Sequence, residues 1–189
     1  LAAYSAALDA GGLTLASVQD DAPYTYAGAN GKSVNNYDRR YRGFTTLREA
    51  ITDSINIVTV KTLAQAGVSL GWQYVQEYGF TTVDSRDMNE ALALGGITQG
   101  VSNLELTAAY AAIANQGTYI KPKFYTKILD HDGNVLIDNT TPESHTVIKD
   151  TTAWLLTSAM EDVMTSGTGT SAYFGSSMAQ AGKSGTTTS

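Results

Sequence analysis

Apolar side chains recur every three to four positions in several stretches of the chain, a spacing that is typical of amphipathic α-helices. At Thr46 a helix start is indicated, because Glu49 follows three positions later and the two side chains can form a capping box. Ser69 is expected to cap a further helix, and glycines directly follow three of the predicted helix ends. The predicted helices cover residues 1–10, 46–53, 57–66, 69–78, 103–115 and 151–164. In the helix predicted over 103–115, small and apolar residues occupy most of the circumference, so we expect it to be buried.

The remaining segments alternate less regularly. Residues 11–44 mix glycine, asparagine, aspartate and tyrosine, which predicts a long loop with one short strand pair. Residues 124–130 and 134–138 flank Asp130-His-Asp-Gly133, a hairpin signal because glycine supplies the positive φ of the turn. Residues 182–189 are expected to form a strand. Helices first and strands last favour an α+β fold over a βαβ sheet.

Composition and charge restrict the function. The 189 residues are 42% hydrophobic and carry 12 basic against 18 acidic side chains, a net charge of −6. This balance gives no electrostatic reason to expect nucleic acid or an anionic membrane surface as a partner. Without cysteine, disulfides, thiolate catalysis and cysteine-ligated zinc are excluded. We expect no metal and no cofactor, and no apolar run reaches the length needed to span a bilayer.

Ser54-Ile55-Asn56 is the first candidate for chemistry, and it lies between two predicted helices. Residues two apart on one continuous helix point about 200° from each other, so a joint role for Ser54 and Asn56 requires a break between the helices. The alternative is structural: Asn56 caps the helix from Ile57, and Ser54 satisfies a loose backbone group.

Lys183-Ser184-Gly185-Thr186 is the second candidate. In a strand, the hydroxyls of Ser184 and Thr186, continued by Thr188, would line one face and suit an anionic carboxylate, while Gly185 would leave room for a ligand backbone. The alternative is a polar edge strand protected by a lysine. A phosphate loop is disfavoured, since that motif requires glycine where Ser177 stands.

Other groupings are weaker. His131 and His145 fall in a predicted turn and near a strand start, without the partners of a triad or a zinc site, and both are expected to be solvated. Asp84, Asp87 and Glu90 lack the spacing of a calcium loop and are interpreted as solvated loop residues and helix N-terminal charges.

Ser-x-Asn followed more than 100 residues later by Lys-[Ser/Thr]-Gly is the motif order of the penicillin-recognising serine enzymes. The flanking segments extend the likeness along nearly the whole chain, which resembles the transpeptidase domain of class A penicillin-binding proteins. The segments that carry the resemblance are Tyr4-Ser-Ala-Ala-Leu-Asp-Ala-Gly11, Asn36-Tyr-Asp-Arg-Arg-Tyr-Arg-Gly43, Thr46-Leu-Arg-Glu-Ala-Ile-Thr-Asp-Ser-Ile-Asn-Ile57, Leu94-Gly-Gly-Ile97 and Leu106-Thr-Ala-Ala-Tyr-Ala-Ala-Ile-Ala-Asn-Gln-Gly117.

The resemblance implies a penicillin-binding-protein/serine β-lactamase-like fold and acyl transfer from the D-Ala-D-Ala stem peptide of peptidoglycan through an acyl-serine, with β-lactam antibiotics acylating the same serine. By motif, Ser54 would relay a proton, Asn56 would bind the substrate amide, and Lys183 would tune Ser54. Ser184, Gly185 and Thr186 would form the substrate-binding segment, with the two hydroxyls on the carboxylate and the Thr186 backbone N–H in the oxyanion hole. The implied location is the extracytoplasmic face of the bacterial cell membrane.

The sequence departs from the family pattern at the nucleophile. No Ser-x-x-Lys motif occurs in the 189 residues, and the family places it just before the helix predicted over 1–10. We therefore expect residues 1–189 to be a partial transpeptidase domain, truncated at both ends and inactive by itself. Its Lys183 strand is expected to be poorly ordered or to pair with another chain.

Two other functions are compatible with these motifs. One is a serine β-lactamase or β-lactam sensor of the same fold, disfavoured because Ile55 stands where class A β-lactamases have aspartate. The other is a non-catalytic peptidoglycan-binding module that uses the hydroxyl-lined strand alone.

Overall fold

The computed structural model describes residues 1–27, 31–175 and 177–186, and within these residues it contains six α-helices and eight short strands. The helices are α1 (Ala2–Asp9), α2 (Leu47–Thr52), α3 (Asn56–Ala66), α4 (Val68–Glu77), α5 (Asn103–Ala114) and α6 (Asp150–Thr165). The strands are β1 (Val18–Asp21), β2 (Tyr24–Thr25), β3 (Ser33–Val34), β4 (Gly43–Thr46), β5 (Thr118–Ile120), β6 (Lys127–Leu129), β7 (Val135–Asp138) and β8 (Ser144–Thr146). The mixture confirms the predicted α+β class.

The described strands form four antiparallel pairs, β1 with β4, β2 with β3, β5 with β8, and β6 with β7. The β6–β7 hairpin is the predicted one, and Gly133 at its turn has the expected positive φ of 84°. The prediction of one strand pair before residue 45 is wrong, because two pairs form there. Their sequences are short and polar, so they carry no alternating apolar pattern that would have revealed them.

Helices α1 and α3 pack together in the centre of the core. Four alanines of α1 are at most 5% exposed, and Ile57, Val58 and Val60 of α3 are fully buried. Small side chains on α1 allow its backbone to come close to α3. This packing fixes α1 against the first turns of α3. The Ser54-Ile55-Asn56 segment runs directly into those turns.

Of the two helix caps predicted from the sequence, one forms and the other does not. The Glu49 carboxylate accepts the Thr46 N–H at 2.9 Å, and the Thr46 hydroxyl accepts the Glu49 N–H at 3.2 Å, which confirms the predicted capping box. The prediction that Ser69 caps α4 is wrong. Helix α4 begins at Val68 because Gly67, with a φ of 106°, turns the chain one residue earlier.

Helix α5 is buried only in part. Ala108, Ala109, Ala112 and Ile113 are buried, whereas Leu104 and Leu106 are 45% and 39% exposed. The prediction of a buried helix is therefore wrong for its first turns, and in its second half Ala111 and Ala114 are exposed as well. Within the part of the chain that the structure describes, none of the helices has both the length and the apolar character required to cross a membrane.

Glu105 joins the start of α5 to the loop after α4. Its carboxylate accepts hydrogen bonds from the backbone N–H and hydroxyl of both Thr81 and Ser102, at 2.7 to 3.0 Å. These bonds, those of Thr81 first, lower the pKa of Glu105 from its ordinary 4.5 to about 2. The ionised carboxylate therefore stabilises the fold above pH 4.5, and this contribution is lost as the pH falls towards 2.

We expect Glu105→Gln to lower the free energy of unfolding at pH 7 and to flatten its decrease between pH 4.5 and 2. Urea unfolding over this pH range measures both effects. Glu143→Gln is the matched control, since the Glu143 side chain is 80% exposed and surface ion pairs contribute little. An unchanged pH slope in Glu105→Gln would contradict the prediction.

Candidate functional site

Ser54 lies in the predicted break between two helices. Helix α2 ends at Thr52 and α3 begins at Asn56, which confirms the break. Ser54 has a φ of 56°, in the left-handed region that non-glycine residues seldom adopt. The backbone at Ser54 therefore departs from right-handed helical geometry. The Ser54 side chain consequently belongs to neither helix.

Ile55 stabilises the turn through its burial in the core and its backbone hydrogen bonds. Its side chain is 1% exposed, and its N–H donates to the Ala50 carbonyl at 2.9 Å. The Thr59 hydroxyl donates to the Ile55 carbonyl at 2.8 Å, and the Tyr4 and Thr59 hydroxyls are 2.8 Å apart. Helix α1 thus contacts the same turn through Tyr4, and the middle residue of the triplet holds its two neighbours at the surface.

Asn56 does not cap α3, so that alternative is wrong. It is the first residue of the helix, and its side-chain Nδ2 donates to the Asn35 carbonyl at 2.9 Å. The Ile57 N–H, which a local cap would normally bind, donates to the Asn36 side-chain Oδ1 at 3.2 Å. The start of α3 is therefore satisfied by a loop 21 residues earlier in the chain.

Lys183 reaches Ser54 from the far end of the chain. Its Nζ donates to the Ser54 Oγ at 2.7 Å and to the Ser184 carbonyl at 3.2 Å. Partial burial of the amine lowers the pKa of Lys183. The two motifs singled out from the sequence, 129 residues apart, are thus brought into direct contact.

The segment that carries Lys183 is not a strand in its described part, residues 181–186, so that prediction is wrong there. A strand requires a ladder of backbone bonds, and this segment is held by other contacts. The Gly182 N–H donates to the Met160 carbonyl at 3.1 Å, and the hydroxyls of Ser184 and Thr168 are 2.6 Å apart. Thr188, predicted on the same strand face, lies outside the described residues.

Ser184, Gly185 and Thr186 are exposed beside Lys183. A side chain added at Gly185 would meet nothing within 4 Å, so there is open space above this residue. The exposed hydroxyls and the lysine therefore border a space that a ligand can enter.

The start of α1 lies close to the same lysine. Leu1, the residue before α1, lies near enough to Lys183 to be affected by its charge. Helix N-termini also carry partial positive charge. The Lys183 ammonium group and the start of α1 therefore both favour an anionic ligand where the two motifs meet.

Several residues outside the two motifs were missed or misassigned from the sequence. Asp21 and Asn36, which hold the start of α3, are buried and carried no local signal of this role. Asp87 and Glu90 are also buried, not solvated as predicted, since Asp87 accepts bonds from Thr98 and Glu90 from Tyr24. Only contacts between distant segments distinguish such carboxylates from surface ones.

The histidines take no part in this site. His131 is exposed beside Asp132, and His145 is exposed with its Nε2 at 2.8 Å from the Glu77 carbonyl oxygen, in line with the prediction. Among the described residues, no three histidine or acidic side chains gather as a metal site requires.

A family model described as the penicillin binding protein transpeptidase domain matches residues 1–189. Penicillin-binding protein 1F of Bacillus subtilis is 40% identical over 152 residues, which cover 80% of this chain and 20% of that protein. Penicillin-binding protein 1A of Clostridium botulinum is 33% identical over 197 aligned positions, which cover 98% of this chain and 23% of that protein. The chain thus spans about a fifth to a quarter of the length of these relatives.

Solved structures agree on the fold. The crystal structure of penicillin-binding protein 1A from Haemophilus influenzae superposes with a TM-score of 0.78 at 26% identity, over 90% of this chain and 30% of that one. PonA1 of Mycobacterium tuberculosis in complex with penicillin V superposes with a TM-score of 0.73 at 22% identity, over 86% and 45%. The predicted penicillin-binding-protein fold is confirmed.

Proposed function

Because this chain belongs to the transpeptidase domain family of class A penicillin-binding proteins, we propose that residues 1–189 are part of a domain that cross-links the stem peptides of peptidoglycan. In this reaction a serine oxygen attacks the carbonyl between two D-alanines. The C–N bond breaks, terminal D-alanine leaves as an amine, and an amino group of a second stem peptide then takes the acyl group. β-Lactam antibiotics would acylate the same serine.

The hydrogen bond from Lys183 Nζ to Ser54 Oγ is the observation that carries this proposal. A serine hydroxyl has one hydrogen and two lone pairs. Since the ammonium group occupies a lone pair of Ser54, the serine hydrogen is free to point to another acceptor. The leaving amine needs a proton as the C–N bond breaks, and Ser54 would deliver it while Lys183 stabilises the oxygen.

Asn56 is proposed to bind the substrate amide. Its side chain has two N–H donors and one carbonyl acceptor. One donor is used on the Asn35 carbonyl, which fixes the orientation of the amide group. Among the described residues the other donor and the carbonyl oxygen have no partner, and they would bind the backbone of a stem peptide or the amide side chain of a penicillin.

Ser184, Gly185 and Thr186 are proposed to hold the acyl donor. The Ser184 and Thr186 hydroxyls would bind its terminal carboxylate, next to the positive charge of Lys183. The open space at Gly185 would admit the peptide backbone. The Thr186 backbone N–H would supply half of the oxyanion hole, where donors aimed at the developing charge lower the barrier.

The nucleophile is proposed to belong to the longer protein that includes this chain. The 189 residues contain no Ser-x-x-Lys motif. The family places this motif just before α1, and the start of α1 lies beside Lys183. We therefore expect the 189 residues alone to form no acyl-enzyme, because they lack the group that makes the covalent bond. The whole protein is proposed to act at the extracytoplasmic face of a bacterial cell membrane.

Covalent labelling with a fluorescent penicillin tests the proposal. We expect the full-length protein to give a fluorescent band that survives denaturation and that unlabelled penicillin competes away, and the 189-residue chain to give none. Absence of the band from folded full-length protein would contradict the proposed function.

Two further readouts separate the alternatives. A β-lactamase would lose the label within seconds by deacylation, whereas a transpeptidase is expected to retain it for minutes or longer. A non-catalytic module would instead bind a D-Ala-D-Ala peptide through the 189 residues alone and lose that binding in Lys183→Ala.

A further inference from the structure

Two consecutive asparagines hold two consecutive residues at the start of α3. The Asn35 carbonyl accepts the Asn56 side-chain Nδ2 at 2.9 Å, and the Asn36 side-chain Oδ1 accepts the Ile57 N–H at 3.2 Å. The residue in the capping position of α3, Ile55, has no side chain that can do this. The loop thus supplies from a distance what a local cap would supply.

Both polar atoms of the Asn36 side chain are hydrogen-bonded. It is 3% exposed, and its Nδ2 donates to both carboxylate oxygens of Asp21, at 2.8 and 3.0 Å, and to the Arg40 carbonyl at 2.8 Å. Its Oδ1 is used on Ile57. A side-chain amide whose donors and acceptor are all hydrogen-bonded has a single orientation. The Asn36 Oδ1 is therefore held in a fixed position for the Ile57 N–H.

Asp21 holds the Asn36 side chain in place. The residue is fully buried at the end of β1, and its Oδ2 accepts the Arg42 N–H at 2.9 Å. The Arg42 guanidinium lies 3.8 Å from the same oxygen and also pairs with Asp38 at 2.9 Å. A buried carboxylate is costly unless it is paired and hydrogen-bonded, so its position is defined by these partners.

We propose that Asn36, held by Asp21, is a positioning residue that sets the Ser54 hydroxyl and the Asn56 amide for acyl transfer. This inference rests on the proposed function. Ser54 lies in a strained left-handed conformation two residues before the helix start that Asn36 holds. Freeing the first turn of α3 lets both the serine and the asparagine move, and a misplacement of about 1 Å can cost about 10²-fold in rate.

Asn36→Asp in the full-length protein tests the role with a nearly isosteric change. The new carboxylate still accepts the Ile57 N–H but faces the Asp21 carboxylate, with Arg42 as the nearest cation. We expect the acylation rate of the folded protein to fall about 10²-fold at pH 8. We expect it to recover towards pH 5.5, because two adjacent carboxylates raise one pKa and then share a proton.

Asp9→Asn is the matched control. Asp9 also accepts two hydrogen bonds, from the Tyr74 hydroxyl and the Lys149 N–H, but it ends α1, about 12 Å of helix away from Leu1. We expect it to lower the unfolding temperature and to leave the acylation rate of the folded protein unchanged.

Hydrogen exchange in Asn36→Ala gives a readout that needs no penicillin. We expect the Ile57 amide to exchange at least tenfold faster, since it loses its acceptor. Unchanged acylation per folded molecule in both Asn36 variants, while the unsubstituted protein labels normally, would overturn the positioning role. An unsubstituted protein that does not label would instead overturn the proposed function, and the positioning role with it.

Discussion

Lys183→Met in the full-length protein is expected to slow acylation by a fluorescent penicillin by about 10²–10⁴-fold. Methionine has an unbranched side chain of similar length but no ammonium group, so the contact of 2.7 Å with the Ser54 Oγ is lost. Ser54 then loses the Lys183 cation that stabilises its oxygen when its proton leaves. The measurement is the pseudo-first-order labelling rate at saturating and subsaturating penicillin, which separates binding from the chemical step.

The double variant Ser54→Ala with Lys183→Met sharpens this result. If the two side chains act as one unit, the double variant is expected to be no slower than the slower single variant. Lys121→Met is the control, since this lysine is 62% exposed and pairs with Glu143. Labelling of Lys183→Met at the unsubstituted rate, or fully additive losses in the double variant, would contradict the proposed relay.

The second large effect is expected at Gly167, which joins the loop after α6 to the end of α2. A Cβ added at Gly167 would lie 2.2 Å from the Thr52 carbonyl oxygen, and the neighbouring Thr168 N–H donates to that oxygen at 3.2 Å. Gly167 is not in the left-handed region, so its lack of a side chain is what this contact requires. Gly167→Ala is therefore expected to destabilise the fold by about 1–3 kcal/mol.

Gly167→Ala is also expected to slow acylation, because Thr52 lies two residues before Ser54 and Thr168 contacts the Ser184 hydroxyl. Gly185→Ala is the matched control for stability, since a Cβ there meets nothing within 4 Å. Denaturant unfolding compares the two substitutions. Equal stability of the two variants would show that the loop adjusts without cost and that the expected conflict is wrong.

The elements that could be predicted from the sequence are those whose signals are local. Thr46 and Glu49 are three residues apart and bind each other, and Gly133 occupies the turn that needs it. The break at Ser54 follows from the helical periods on either side of it. The contact between Ser54 and Lys183 came from the resemblance, since no pattern within either motif points to the other.

The residues that escaped prediction depend on contacts across long separations. Asn36 binds Asp21 15 residues before it and Ile57 21 residues after it, and neither spacing matches a helix or a hairpin. At the start of α4 a local signal was present but misleading. Ser69 is a good capping residue, yet the turn at Gly67 starts the helix at Val68. Local sequence signals therefore predict most helices and turns. The contacts that hold the site residues in position depend on tertiary packing and could not be predicted.

The left-handed backbone at Ser54 has a consequence for engineering this domain. A serine in that conformation costs about 1–2 kcal/mol relative to a glycine, which adopts it without strain. Selection for thermal stability alone would therefore tend to replace the serine and delete the hydroxyl. A screen for robust variants of this domain must retain an activity readout, because the most stable backbone at this position lacks the proposed proton relay.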